Sequence, residues 1–220
     1  SSVPCCSNEH LKECFFETQK YFNQVLNKKM TMYLVDKEAL EILDLPEDEY
    51  VIISDRTYFD YVYDAEKLRT FSGKKYHKKK NNLNYFKREY EGRYQFKLLG
   101  EQDTEEILQY LENWKDTKSH AEEHEFIESE AKGIKFLLEH EEVFDFKIGG
   151  VYIDGKLEAF CIGNYYEPED MVYLPVEKAN PEIRGLYQYI CSEFLIEVFP
   201  YAGKENREDD MGIEGLRRSK

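Results

Sequence analysis

The sequence predicts an α/β protein with a mixed sheet, and three observations support this prediction. Several segments repeat apolar residues at helical spacing, while others are short runs rich in Val, Tyr and Phe, as strands are. Residues 146–163, FKIGGVYIDGKLEAFCIG, form two strand-like runs around Asp154-Gly155, a pair suited to a tight hairpin turn. Helical and strand patterns alternate along the chain, which is typical of an α/β fold.

The first part of the chain reads as helix, strand, helix, strand, strand. Apolar residues lie near helical spacing over 11–26, and MTMYLV (30–35) follows as a predicted short strand. DKEALEILDL is predicted to be a helix that begins at Asp36. YVIISD (50–55) and TYFDYVYD (57–64) are predicted strands.

The remaining elements are predicted from the same helical and strand-like patterns of apolar residues. A basic helix is predicted over 70–90, and a boundary near Gly100 divides the chain into two predicted halves, 1–100 and 101–220. The KDTKSH turn is expected to separate two helices. Besides the hairpin, the expected elements are a strand over 94–99, helices over 103–116 and 121–140, a strand over 171–176 and an amphipathic helix over 186–199.

Charge is distributed unevenly along the chain. The protein carries a net charge of −15, yet residues 71–90, FSGKKYHKKKNNLNYFKREY, hold seven Lys and Arg against one Glu. The other 200 residues therefore carry −21, and their long-range field repels nucleic acid and anionic membranes. We expect no DNA partner, and any anionic partner has to be met locally.

Targeting and metal signals are not found. No run of about 18 apolar residues exists and the N-terminus lacks a signal-peptide pattern, so we expect a cytoplasmic protein without a transmembrane segment. The first residue is Ser, which leads us to expect missing N-terminal sequence. The five cysteines match neither a disulfide framework nor a metal knuckle, and HAEEH (120–124) has Ala121 where a zinc helix needs Glu, so no metal site is expected.

A candidate phosphate loop lies between the last long strand and the following helix, in VEKANPEIRGLYQYI (176–190). Free N–H groups at a helix N-terminus favour phosphate, and a glycine lets the backbone approach closely. Lys178 and Arg184 supply cations and Gly185 the glycine. The segment resembles the phosphate loop of Gcn5-related N-acetyltransferases, although Tyr187 replaces a small residue and the first glycine is absent; an ordinary strand-to-helix turn is the alternative.

Three motifs together resemble one family. DYVYDAEKLRTFSGKKYHKKKNNLNYFKREY, VEKANPEIRGLYQYI and NREDDMGIEGLRRSK occur in the order found in bacterial proteins with the C-terminal domain of phosphatidylglycerol lysyltransferase. The resemblance covers most of the chain. It implies two tandem acetyltransferase-like α/β domains, each taking one of the two predicted halves.

The basic helix contains candidate substrate-binding residues. Lys79 falls on the apolar face of the helix, so it must line a cleft, pair with an acid, or extend its amine to water. Lys74 and Lys75 follow Ser72-Gly73 at the helix start, where cations and free amides suit a nucleotide or RNA phosphate. The alternative is a solvated face that neutralises the acidic remainder of the chain.

Further candidates lie at the C-terminal end and beside the phosphate loop. Asn206, Arg207 and Asp209 leave the last strand, where an Arg can hold a carboxylate or phosphate and an Asp an amine. The alternative is that the interleaved charges of this segment form mutual ion pairs. Glu177 is the best-placed proton acceptor, and Tyr187 a candidate donor to a leaving group.

The sequence therefore predicts an acyltransferase. The donor is expected to be aminoacyl-tRNA or acyl-coenzyme A, with no tightly bound cofactor, and the acceptor an amine or hydroxyl. The alternative is a non-catalytic module of the same fold that binds a nucleotide, RNA or protein.

Overall fold

The computed structural model describes residues 2–116 and 124–220, which group into two compact units. The first unit runs to Tyr58 and the second from Phe59 to Lys220. The predicted boundary near Gly100 lies inside the second unit, between a strand and a helix that share its core. The division into two acetyltransferase-like halves stays a prediction.

Two helices build the first unit. Helix α1 (Leu11–Lys20) continues into one wider turn at Tyr21–Val25, and α2 (Lys37–Leu43) begins where the Asp36 carboxylate accepts a 2.7 Å hydrogen bond from the Ala39 amide. This contact satisfies a backbone donor that a helix N-terminus leaves free, as predicted. The two helices pack around Leu11, Phe15, Ala39 and Leu43.

The strands predicted at 30–35 and 50–55 are wrong. Both segments belong to the described part of the chain, and both are irregular. Val51 is 89% exposed and Ile53 82% exposed. A strand needs a neighbouring strand to satisfy its backbone groups, and every strand that the structure describes lies in the second unit. Favourable side chains alone do not make a strand.

A six-stranded mixed sheet organises the second unit, which confirms the predicted α/β class. The spatial order is β1-β6-β5-β4-β3-β2, and all neighbours are antiparallel except the parallel pair β5 and β6. The predicted hairpin is β3 and β4, with positive φ at Asp154 and Gly155. The strands are β1 (Val62–Asp64), β2 (Tyr94–Leu99), β3 (Lys147–Ile153), β4 (Lys156–Tyr166), β5 (Met171–Ala179) and β6 (Lys204–Asn206).

Helices cover both faces of the sheet. On one face α3, α4 and α7 pack against Ala159 and Cys161 of β4, and on the other α5 and α6 pack against Phe160 and Ile162. Part of the predicted KDTKSH turn and most of HAEEH lie outside the described residues. The helices are α3 (Ala65–Thr70), α4 (His77–Glu89), α5 (Thr104–Asp116), α6 (His124–Glu139), α7 (Leu186–Glu197) and α8 (Glu214–Ser219).

Strands β5 and β6 pair over only three residues. Met171–Tyr173 pair with Lys204–Asn206, after which β5 continues to Ala179 without β6 beside it. Beyond this pairing, Glu177, Cys191, Glu205 and Arg207 contact one another where the two strands separate. We call this place the β5/β6 opening.

The described helices were compared with the length and apolar character of a membrane-spanning helix. Within residues 2–116 and 124–220, none of them combines the length and the apolar character needed to cross a bilayer.

Candidate functional site

Arg207 bridges the β5/β6 opening. It follows β6 directly, and its Nη2 atom lies 2.6 Å from Oε2 of Glu177 near the end of β5. Its Nε atom lies 3.6 Å from Oε1 of Glu205, and its Nη1 donates to the Cys191 sulfur at 3.3 Å. One guanidinium group therefore contacts two acidic side chains, both of them largely buried.

Burial orders the members of this cluster from front to back. The Arg207 side chain is 18% exposed, that of Glu177 9%, and that of Glu205 only 1%. Arg207 and Glu177 therefore meet solvent, or a substrate, first. Glu205 lies behind them, beside Cys191 of α7.

Burial changes the pKa values of Glu205 and Cys191, which lie behind Arg207 and Glu177. Burial raises the pKa of Glu205 to about 7; the Arg207 charge opposes this shift and the Glu177 charge adds to it. Burial also raises the pKa of the Cys191 thiol, which stays protonated at neutral pH. Glu205 is thus the carboxyl group here whose charge changes near neutrality.

Lys79 of α4 lies close enough to this cluster to share its field. Burial, together with the nearby Arg207 charge, lowers the pKa of the Lys79 amine. The amine donates to the Ser219 carbonyl at 2.9 Å and lies 5.9 Å from the ring centre of Tyr63. Of the three predicted lysines of the basic stretch, Lys79 is brought to the opening.

The other two lysines lie at the surface. Lys74 and Lys75 are exposed in the short turn Lys74–Tyr76 that precedes α4. No ion pair joins either to an acid among residues 2–116 and 124–220. They carry charge toward solvent and not into the opening.

Residues of the C-terminal segment cover the opening. The Tyr63 hydroxyl donates to the Lys220 carbonyl, and the Lys220 amine donates to the carbonyls of Arg207, Glu208 and Asp209. Burial raises the pKa of Tyr63 to about 12, so its hydroxyl remains a donor at neutral pH. These contacts fix the backbone from which Arg207 extends.

Asn206 and Asp209 shape the same loop through local hydrogen bonds. The Asn206 side chain accepts from the Glu208 amide at 2.8 Å and donates to Asp60 at 2.7 Å, while Asp209 accepts from the Met211 amide at 2.8 Å. Glu208 and Met211 both have positive φ, a conformation that such side-chain bonds support. Of the three predicted residues in this loop, Arg207 extends into the opening.

The three predicted phosphate-binding residues are not brought together. Lys178 is 7% exposed, lies 2.6 Å from Glu130 of α6 and faces the α5 and α6 side of the sheet. Arg184 lies on the opposite side, where Nε donates to Asn82 of α4 at 3.0 Å. An internal ion pair therefore occupies Lys178, whereas Arg184 is exposed.

Gly185 lets the loop before α7 approach α4. Its φ is +88°, and a Cβ at this position would lie 2.1 Å from the Asn82 carbonyl oxygen. Only a glycine meets both conditions without strain. The close approach that was predicted for a phosphate is here made by protein backbone.

Tyr187 occupies the first turn of α7. Burial raises the pKa of its hydroxyl, and the Glu177 charge adds to that effect. Tyr187 therefore keeps its proton at neutral pH, as a proton donor must. The Tyr187 hydroxyl also accepts hydrogen bonds from the Ala179 amide at the end of β5 and from Trp114 of α5.

Sequence reasoning missed Glu205 and Cys191, whereas a second ion pair behind the loop belongs to the charged segment for which mutual pairing was the alternative. Asp210 has no exposed surface, accepts from the Tyr61 hydroxyl at 2.7 Å and forms a two-bond pair with Arg217 at 2.8 and 2.9 Å. Arg217 and the Tyr61 hydroxyl bond hold the pKa of Asp210 well below its usual range. The alternative of mutual ion pairs in this segment is confirmed for Asp210 with Arg217 and for Glu214 with Arg218.

Comparisons with known proteins identify similar sequences. The family model described as phosphatidylglycerol lysyltransferase, C-terminal, matches residues 1–220. An uncharacterised protein of Mycoplasmoides gallisepticum is 25% identical over 198 residues, which is 89% of this chain and 62% of that protein. The chain thus spans less than two thirds of that relative.

Solved structures with the same fold extend this comparison. A conserved protein of unknown function from Bacteroides thetaiotaomicron has a TM-score of 0.82 at 28% identity, covering 95% of this chain and 70% of that one. L-PGS from Bacillus licheniformis has a TM-score of 0.64 at 14% identity, covering 96% of this chain and 63% of that one. The second likeness shows the fold alone.

Proposed function

The chain belongs to the family of phosphatidylglycerol lysyltransferase C-terminal domains, and from this premise we propose that it transfers an aminoacyl group to an amine or hydroxyl acceptor at the β5/β6 opening. The predicted family resemblance is confirmed by that membership. The observation that carries the proposal is the ion pair of Arg207 and Glu177 in front of buried Glu205. A cation and a carboxylate that are both largely buried suit acyl transfer.

Glu177 and Tyr187 each transfer one proton in the proposed step. The acceptor nitrogen or oxygen bonds to the carbonyl carbon of the donor, while the bond from that carbon to the donor's ester oxygen breaks. Glu177 takes the proton that the acceptor loses, and the Tyr187 hydroxyl gives a proton to the departing oxygen. Solvent exchange then returns the proton from Glu177 to Tyr187.

Arg207 supplies the positive charge that this step needs. Negative charge develops on the carbonyl oxygen, and a guanidinium held in a dry site stabilises it more than water would. Glu205 acts as a positioning residue, because it contacts Arg207 from behind and is almost without exposed surface. Lys79 adds a second cation whose pKa is already lowered by burial and by Arg207.

An aminoacyl donor fits better than acyl-coenzyme A. The separation of Lys178 from Arg184 weighs against coenzyme A, because its pyrophosphate would need the assembled loop. The name of the matching family describes lysyl transfer. The separation of Lys178 from Arg184 also favours a second candidate function, a non-catalytic module that binds a nucleotide, RNA or protein.

Binding of bulk radiolabelled aminoacyl-tRNA to the full chain tests the donor. We expect the charged tRNA to bind more tightly than uncharged tRNA, and the affinity to fall as salt is raised from 50 to about 200 mM, because phosphate contacts release counterions. Arg207→Gln should abolish the preference for the charged form, while Arg93→Gln, at an exposed ion pair, should leave it unchanged.

Two outcomes contradict the aminoacyl donor. Equal affinity for charged and uncharged tRNA favours the non-catalytic module. Displacement of the charged tRNA by acetyl-coenzyme A, without displacement by uncharged tRNA, favours a small acyl donor.

A further inference from the structure

A pocket of about 340 Å³ lies on the outer side of α4, outside the β5/β6 opening. Four of its lining residues recur at spacings of three, one and three along α4, which places them on one helical face. Arg184, from the loop before α7, completes the wall. The lining residues are Asn81, Asn84, Tyr85, Arg88 and Arg184.

The position of Arg184 is fixed by three neighbours. Its guanidinium lies 4.6 Å from the ring centre of Tyr85, and its Nε donates to the Asn82 side chain. The adjoining Gly185 presses the loop against the Asn82 backbone. These contacts within the protein hold the pocket wall in place, which reduces the entropy cost of binding.

Two guanidinium groups converge on one tyrosine ring without an acid between them. The Arg88 guanidinium lies 5.9 Å from the ring centre of Tyr85, and the pocket lining contains no carboxylate. Among residues 2–116 and 124–220, neither Arg88 nor Arg184 forms an ion pair with an acid. On a chain of net charge −15, two such arginines make this surface locally positive.

We propose that this pocket binds a nucleotide. The two guanidinium groups hold its phosphate, since their planar donors match phosphate oxygens. Tyr85 offers an aromatic surface to the base, and the amides of Asn81 and Asn84 offer donors and acceptors to its edge. The volume suits a group of this size. The nucleotide is either free or part of an RNA, and its role as a portion of the donor rests on the proposed function.

Calorimetric titration of the full chain tests the pocket with three probes: inorganic phosphate, AMP and a single-stranded RNA octamer. We expect AMP to bind more tightly than phosphate, because the base adds contacts. Arg88→Gln/Arg184→Gln should weaken AMP binding by roughly tenfold or more. The matched control Lys28→Gln/Arg56→Gln removes the same charge from exposed positions and should have no effect.

Comparing the affinities of the octamer and AMP shows whether the nucleotide is free or part of an RNA. Tighter binding of the octamer, with the same loss in the double variant, assigns the pocket to RNA. Binding of AMP alone assigns it to a free nucleotide. Tyr85→Leu provides a second variant in which both arginines remain, and it should weaken AMP but not phosphate.

The proposal is overturned if neither AMP nor the octamer binds more tightly than phosphate, or if the double variant equals its control. These outcomes are independent of the preference for charged tRNA. Normal AMP binding with no such preference removes the proposed function and keeps the pocket. A preference for charged tRNA without binding of AMP or the octamer keeps the proposed function and removes the pocket.

Discussion

Replacing Arg207 by Met is expected to destabilise the protein by about 3–5 kcal/mol, because it leaves the buried carboxylates of Glu177 and Glu205 without their shared cation. The lost bond to the Cys191 sulfur adds to the effect. Trp114 is the chain's one tryptophan and lies in the same compact unit. Its fluorescence during urea unfolding provides the measurement.

The control for Arg207→Met makes the same chemical change at an exposed ion pair. Arg93 and Asp154 pair with about half of each side chain exposed, and such pairs contribute little to stability. Arg93→Met should therefore leave the unfolding midpoint nearly unchanged. Equal effects of the two substitutions would contradict the description of Arg207 as a buried cation shared by two acids.

Stability is expected to fall as pH rises from 5 to 8 because of Glu205. Its pKa rises from 4.5 in the unfolded chain to about 7 in the folded one, so the folded state holds an extra proton between these values. The stabilisation is fully present below pH 4.5 and is lost as pH rises through 7. The shift corresponds to about 3 kcal/mol.

Glu205→Gln tests this assignment. The glutamine imitates the protonated form at every pH, so the variant should lose the slope and exceed the wild-type stability at pH 8. Glu214→Gln, at a residue whose side chain is 74% exposed, should keep the wild-type slope. The assignment fails if urea unfolding at pH 5, 6, 7 and 8 gives Glu205→Gln the same slope as the wild type.

Local patterns in the sequence were sufficient to predict most elements of the second unit. The helix α4, the β3–β4 hairpin and α7 each carry their own period or turn signal, and the structure confirms them. The segments at 30–35 and 50–55 carried strand-forming side chains as well. They failed because a strand depends on a distant partner, which a local pattern does not report.

The candidate site could be predicted only in part for the same reason. Glu177 and Lys178 are consecutive in β5, so their side chains point to opposite faces, and one at most could reach Arg207. This alternation was readable from the sequence. The contact of Glu177 with Arg207 was not, because it depends on how β5 and β6 separate.

No pattern in the sequence indicated that Glu205 is buried. It lies in a three-residue strand, KEN, which is too short and too polar for a period. Its burial comes from α7 and from the neighbouring strands β1 and β5. A charged residue in a polar run is ordinarily solvated, so sequence alone favours the wrong environment.

The most direct test of the transfer centre is single-turnover release of radiolabel from bulk aminoacyl-tRNA in the presence of an acceptor. Phosphatidylglycerol vesicles provide a hydroxyl acceptor and ethylamine an amine. We expect label to move to one of them, and Glu177→Gln to slow the transfer by roughly 100-fold, the usual contribution of a general base. Transfer by Glu177→Gln at the wild-type rate, or no transfer to either acceptor, would contradict a catalytic role for the β5/β6 opening.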